Sequence, residues 1–566
     1  MKMLNTQKSA RRVRRMTIAG GIVALGLSAV VNPSPAAAQN NQSFNRFWPG
    51  NLVVSRSVYD NNPANVTVGE ILPPGCGSTT AGCAPATGAP ANGTYPFVFN
   101  NDLYDSSFGI TSKIFLDQIT PAGQLINSLE VPNSLQNNVK SKDDQLVTSF
   151  SSKSELALNL STDHRFLTFG GYFAPVNALD VSNSNTELAP DPTNPVGQSF
   201  FRAVAQVGFN GKFQFTMSNA YSGNNGRAAI LNNTNGANFY YTAGNAGNGS
   251  NPQPDGVVLG AGAQIIDPST VAERKQNPGL PTPVGSFSIT LLGAKPDKVG
   301  KDDNFRGLTI FNNVIYYTKG SGSNGVNTVY FVDTTGKACP NGVGLPSPTA
   351  QLPTTPLSFD PSTLQTTGLP SNMCILAGFP STPNKSLSVI TSFPFGLWFA
   401  DANTLYVADE GDGETGTDLY THAAAQTTAG LQKWVFSSKT NTWNLAYTLQ
   451  NGLLLGAPYT VAGYPTGTNT ATNLPWAPAT DGMRNITGRV LGNGEVAIWG
   501  ITSTVSGSGD TGADPNRLVV IVDNLANTSA SAAASEQFLT LRQAGFAEVL
   551  RGVSFTPGTD VSSNSQ

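Results

Sequence analysis

Acidic residues crowd one short stretch of this chain, Asp409-Glu410-Gly411-Asp412-Gly413-Glu414, with Asp418 just beyond. Carboxylates on a backbone loosened by glycine are hard oxygen ligands of the kind Ca²⁺ takes. Asp409, Asp412 and Glu414 are therefore the candidate metal ligands, and Ca²⁺ is the candidate cofactor. The spacing lacks the terminal Glu of an EF-hand loop, so a solvated acidic loop is the competing reading. Asp510 and Asp514 repeat the theme more thinly. A second set of charged residues is spread along the chain: Arg227, Arg306, Arg484 and Arg551 each head a strand-like apolar run. Guanidinium forks suit carboxylate, sulfate or phosphate through paired hydrogen bonds, which makes these four the candidate ligand-binding residues. The alternative is that each bonds carbonyls of the neighbouring unit and staples the structure together.

Other chemistries have little material. The chain has two histidines, His164 and His422, a thin supply for a Ser-His-Asp arrangement. No G-x-S-x-G, H-E-x-x-H or Walker segment occurs. Four cysteines admit two disulfides in three connectivities. Local pairing, Cys76 with Cys83 and Cys339 with Cys374, is the simplest. Charged residues make up 12% of the chain and the net charge is −3, which offers no electrostatic footing for nucleic acid.

The elements that must position these residues recur. Gly226-Arg227-Ala228-Ala229-Ile230 precedes Asn238-Phe239-Tyr240-Tyr241, and Phe305-Arg306-Gly307-Leu308 precedes Val314-Ile315-Tyr316-Tyr317. The phrase returns at Phe395-Gly396-Leu397-Trp398, at Arg484-Asn485-Ile486 and at Leu550-Arg551-Gly552-Val553, roughly 65–90 residues apart. Strand-like alternation dominates, tight hairpin signals stand at Asn232–Asn235, Asn312-Asn313, Asp401–Asn403 and Gly492–Gly494, and only Ser535–Gln543 reads as helical. The pattern predicts an all-β fold, a six-bladed β-propeller over 39–557 followed by a disordered tail over 558–566. Val549–Phe555 supplies the innermost strand of the closing blade, and Leu52–Val58, Lys113–Asp117 and Leu125–Leu129 supply the rest. Closure of this kind removes an unpaired sheet edge. Seven blades is the alternative if Val257–Ile266 and Ser286–Leu292 form a unit of their own.

The N-terminus reads as a signal peptide over 1–38: a basic stretch through Arg15, an apolar run over Met16–Val31 and a cleavage site after Ala38. No later run reaches membrane-span length. The expected location is the periplasm or the exterior of a bacterial cell.

Several segments resemble secreted bacterial β-propeller proteins: Phe115-Leu116-Asp117-Gln118-Ile119-Thr120-Pro121-Ala122-Gly123, Ala220-Tyr221-Ser222-Gly223-Asn224-Asn225, Leu405-Tyr406-Val407-Ala408-Asp409, Gly430-Leu431-Gln432-Lys433-Trp434 and Leu550–Phe555. The resemblance implies the fold and export and transfers no catalytic residue. In such a ring the long loops, at 59–111, 173–199, 242–256, 334–393, 409–430, 450–483 and 502–516, share one face, which is the expected working face. Trp476, Tyr459 and Tyr464 on those loops are candidates for sugar or peptide contact. The expected partner is a glycan, an anionic small molecule or an envelope protein, with no nucleic acid. A Ca²⁺-assisted hydrolase or lactonase and a structural envelope component are the alternatives.

Overall fold

A computed structural model describes residues 44–69, 71–72, 89–90, 109–131, 145–149, 156–179, 181–186, 199–218, 220–245, 262–268, 283–286, 304–320, 325–339, 341–352, 373–470, 472–508 and 510–561. The expected signal peptide, Cys76, Cys83 and the last five residues lie outside them.

Strands dominate, and most pair antiparallel with their neighbours in sequence; Val343–Gly344 pairs parallel with Met373–Leu376. The first sheet is Asn159–Leu160, Phe166–Ala174, Phe201–Gly208 and Phe213–Ser218. The second is Gly226–Asn232, Phe239–Gly244, Ala263–Ile266 and Pro283–Ser286. Ala263–Ile266 therefore completes this sheet and does not begin a separate unit. The third runs Phe305–Phe311, Val314–Lys319, Thr328–Val332 and Met373–Leu376, with Val343–Gly344 at its edge. The fourth is Pro394–Asp401, Thr404–Asp409, Gly430–Ser437 and Thr442–Leu449, and the fifth Ala479–Val490, Glu495–Val505, Arg517–Asn524 and Leu539–Gln543.

The closing sheet joins the two ends of the described chain. Glu548–Phe555 pairs with Leu52–Val58, which pairs with Thr111–Ile119, which pairs with Leu125–Glu130. Gln145–Ser149 bridges this sheet to the first one. Buried charge reinforces the closure. The Asp117 carboxylate accepts from Arg56 Nε at 2.7 Å and from Arg542 Nη1 of the fifth sheet at 2.7 Å. Burial pushes the Asp117 carboxyl up, and the two arginines more than reverse that, holding it below its ordinary value.

The innermost strands of these sheets touch in a closed order: closing, first, second, third, fourth, fifth and back to closing. The result is a ring of sheets resembling a β-propeller. The recurrent phrase has a packing reason. A side chain at Gly307 would meet the Phe395 carbonyl oxygen at 2.0 Å, and one at Gly552 would meet the Leu156 carbonyl oxygen at 2.2 Å. Only glycine lets neighbouring innermost strands approach this closely. Apolar side chains fill the space between sheets, as where Phe311 stacks on Phe399 with centroids 4.5 Å apart.

Two local expectations need correction. Leu539–Gln543 is a strand, paired with Arg517–Val520, so the helical reading of Ser535–Gln543 fails. Pairing with the Arg517–Val520 edge outweighs a weak helical preference over a short segment. Among the described residues an α-helix instead spans Leu419–Ala425, inside a segment expected to be loop, and buries Leu419 and Ala423 one turn apart.

Candidate functional site

The hairpins that join first and second strands define one end of the ring. Asn312 and Asn313 have φ of 47° and 59°, the left-handed geometry of a tight hairpin turn. The long loops leave from the other end.

The recurrent arginines sit toward the loop end, and all four are buried, with exposures of 6% at Arg227, 7% at Arg306, 5% at Arg484 and 2% at Arg551. Arg227 donates to the Phe305 carbonyl at 3.1 Å and to the Asn304 side chain. Arg551 donates to Ser57 Oγ at 3.0 Å and to the carbonyls of Gly512 and Ser149, each at 3.3 Å. Arg484 Nε donates to Glu410 Oε2 at 3.1 Å, and Arg306 Nη2 lies 3.7 Å from Glu410 Oε1. Phe395, at the equivalent place in the fourth sheet, lies beneath both guanidinium groups, 5.7 Å from Arg306 and 6.0 Å from Arg484. Each arginine thus reaches a neighbouring strand or loop.

The acidic stretch does not act as one group. Asp409 is fully buried, and its carboxylate accepts from the backbone N–H of Phe393 at 2.9 Å and of Gly411 at 3.1 Å, and from Gln432 at 3.0 Å. Burial pushes its carboxyl up to about 7, with Glu410 and Asp481 adding to the rise and the N–H donors opposing it. Glu410 serves the arginine pair. Asp412 pairs with His422, Oδ2 to Nε2 at 2.7 Å, and Glu414 accepts from the Gly416 N–H at 2.7 Å. Asp481, which sequence reasoning passed over, is buried beside this loop, accepts from the Gly413 N–H at 2.9 Å and is pushed up to about 7 by burial. Among the described residues, the donor atoms that gather in threes within 4.8 Å are those of Asp333, Cys339 and Cys374. The two sulfurs are joined in a disulfide, as expected from local pairing, so no thiolate is offered. Asp409, Asp412 and Glu414 form no such group.

The loop aromatics are packing residues in this structure. Trp476, Tyr459 and Tyr464 are 7%, 8% and 6% exposed, Tyr464 donates to Asp514 at 2.6 Å, and Tyr459 donates to the Pro515 carbonyl at 2.7 Å.

Open space lies at the hairpin end. A cavity of about 390 Å³ on the ring axis is lined by the ends of innermost strands from all the sheets named above, among them Leu158, Ile230, Phe311, Trp398, Arg489 and Phe555. Arg489 is half-buried, and its guanidinium carbon lies 4.3 Å from the centroid of the Phe555 ring. Among the described residues it forms no ion pair, and burial lowers its pKa. Asn313, His164 and the exposed Asp560 add polar groups to the same wall. His164 holds a left-handed turn with φ of 59°, and its carbonyl accepts from the Gly558 N–H at 2.7 Å. That bond and the Gly50 N–H to Thr559 Oγ1 bond at 2.8 Å fix the first residues of the expected tail across this end. No recurrent phrase marks Arg489, and its partner Phe555 is remote in sequence, so only the fold brings them together.

No protein-family model matches the sequence, and the search of curated proteins returns no match. Solved structures with some likeness include a point mutant of NanB sialidase from Streptococcus pneumoniae, at 7% identity and TM-score 0.29, covering 70% of this chain and 63% of that one. The chain thus spans less than two thirds of that sialidase chain. Another is a family PL25 polysaccharide lyase, an ulvan lyase bound to -[GlcA(1-4)Rha3S]-, at 10% identity and TM-score 0.24, covering 92% of this chain and 99% of that one. No helix of the described residues is long and apolar enough to cross a membrane, and the Cys339–Cys374 bond is consistent with an extracellular or periplasmic protein.

Proposed function

We propose that this protein is an exported six-bladed β-propeller that binds an anionic small molecule, or the acidic end of a glycan, in the hairpin end of its axial channel. The observation that carries this reading is Arg489. A cation half removed from water, over an aromatic face and without an ion pair among the described residues, carries a desolvation cost that a bound carboxylate or sulfate offsets. Its planar fork, stacked on Phe555, keeps its N–H donors in plane for such a group. The cavity is of the size that small-molecule sites occupy and mixes apolar walls with a few polar groups, the usual composition of such sites. The buried arginines of the loop end take the other role: they lock the ring, and the ligand meets Arg489. The six-blade reading is supported by six sets of strands whose innermost members line one cavity.

The reading of a Ca²⁺-assisted hydrolase or lactonase has less beneath it. The Asp409 oxygens face N–H donors, which compete with a cation, and Asp412 and Glu414 are engaged elsewhere.

The test is a calorimetric screen of the purified chain against acidic and neutral oligosaccharides and small organic anions. An anionic ligand should bind, and Arg489→Met should weaken it at least about tenfold, the equivalent of about 1.4 kcal/mol, with the melting midpoint unchanged. A screen in which no anion loses affinity on Arg489→Met would place the ligand elsewhere.

A further inference from the structure

A second cavity, of about 550 Å³, opens at the same end but outside the ring of innermost strands. Its walls include Arg46, Trp48 and Pro49 from the segment entering the closing sheet, Phe209 from the hairpin of the first sheet, Arg165, and Pro557. It shares no lining residue with the axial cavity. Trp48 is 42% exposed and Phe209 55% exposed, in a protein that otherwise buries most of its described aromatic side chains.

The charges here are arranged for an incoming anion. The Arg46 guanidinium carbon lies 3.7 Å from the Trp48 ring centroid, and among the described residues this side chain has no ion pair or hydrogen bond. The Trp48 indole N–H likewise meets no described acceptor. The backbone beneath them is fixed. Trp48 N–H donates to Gln118 Oε1 at 2.6 Å, the Trp48 carbonyl accepts from Thr556 Oγ1 at 2.7 Å, and the Arg46 carbonyl accepts from Gln118 Nε2 at 3.3 Å. The neighbouring Arg165 differs, since Asp163 already holds it in an ion pair.

We propose that this groove binds a carboxylate carried on a ring with an apolar face. The carboxylate takes the Arg46 fork, with the Trp48 N–H as a further donor, and the ring packs on Phe209. Stacking restrains the guanidinium before the ligand arrives, so less side-chain freedom is lost on binding. An acidic sugar and an aromatic acid share this chemistry.

The experiment is titration calorimetry of the full chain with trigalacturonate, maltotriose and 2-naphthoate. At least one acid should bind, and neutral maltotriose should not. Arg46→Gln should weaken that binding by about 10- to 100-fold, the range of a charge-assisted hydrogen bond. Phe209→Ala should weaken it too. Both residues are exposed, so their melting midpoints should match the parent's, and Arg489→Met should leave this binding intact. That last variant separates the groove from the axial cavity. Failure of both acids to bind, equal binding of maltotriose, or acid binding indifferent to Arg46→Gln would overturn the assignment.

Discussion

Arginines at the two ends of this ring face opposite circumstances. At the loop end, Arg227, Arg306, Arg484 and Arg551 are buried and engaged by carbonyls, hydroxyls or the Glu410 carboxylate. At the hairpin end, Arg489 and Arg46 lie over aromatic rings, 4.3 Å and 3.7 Å from their centroids, without an acidic partner among the described residues. The first set recurs in the sequence because the innermost strands that carry it pose a similar packing problem at the junction with a neighbouring strand or loop. The second set answers to no repeat, as expected of groups that serve a ligand. Recurrence marks architecture here, and the proposed binding groups depart from it.

The contrast can be broken most forcefully at Glu410. Glu410→Ala removes the carboxylate shared by Arg306 and Arg484 and leaves two buried cations without it. Loss of one partner of a buried pair costs about 3–5 kcal/mol. Urea unfolding should show a loss of that order for Glu410→Ala and a change below about 0.5 kcal/mol for Arg489→Met. Equal losses would erase the distinction between the two ends.

A similar but separate contribution comes from the Cys339–Cys374 bond, which closes a loop of 35 residues in the third sheet. Chain-entropy reasoning assigns it about 3–4 kcal/mol. Unfolding with and without reductant measures this, and an effect near zero would remove the disulfide from the account.

A further difference concerns pH. Asp409 and Asp481 are pushed up to about 7 by burial, whereas in the unfolded chain they return to the ordinary carboxylate value near 3.9. Between those values the folded state holds more protons than the unfolded one, so stability falls as pH rises from about 4 to about 7 and then levels off. Unfolding free energies at pH 5 and pH 8 should show the fall, and Asp481→Asn should reduce it. A stability that rises over this window would contradict the burial assigned to these groups.

Much of the ring was legible in the residues. Alternation along Leu52–Val58 and Val549–Phe555 was enough to pair the two ends of the described chain, and that pairing is present. The local pairing of Cys339 with Cys374 was legible as well, from nearness in sequence. The site was legible only in part. The phrase around Arg306 and Arg551 pointed correctly to a shared structural position, but their burial depends on Gly307 and Gly552 admitting a neighbouring strand's carbonyl. Arg489 over Phe555, and Arg46 beside the 208–210 hairpin, join residues remote in sequence, so no local spacing announces them. The division of the acidic stretch was not legible for a related reason: composition records charge, whereas the fold sends Asp409 inward, Glu410 to two arginines and Asp412 to His422.

A crystal structure of the complex with the anion whose binding Arg489→Met weakens most tests the central claim most directly. The account places that ligand on the ring axis at the hairpin end, its charged group against Arg489 and Phe555. A ligand seated at the loop end, against Arg306 and Arg551, would contradict it.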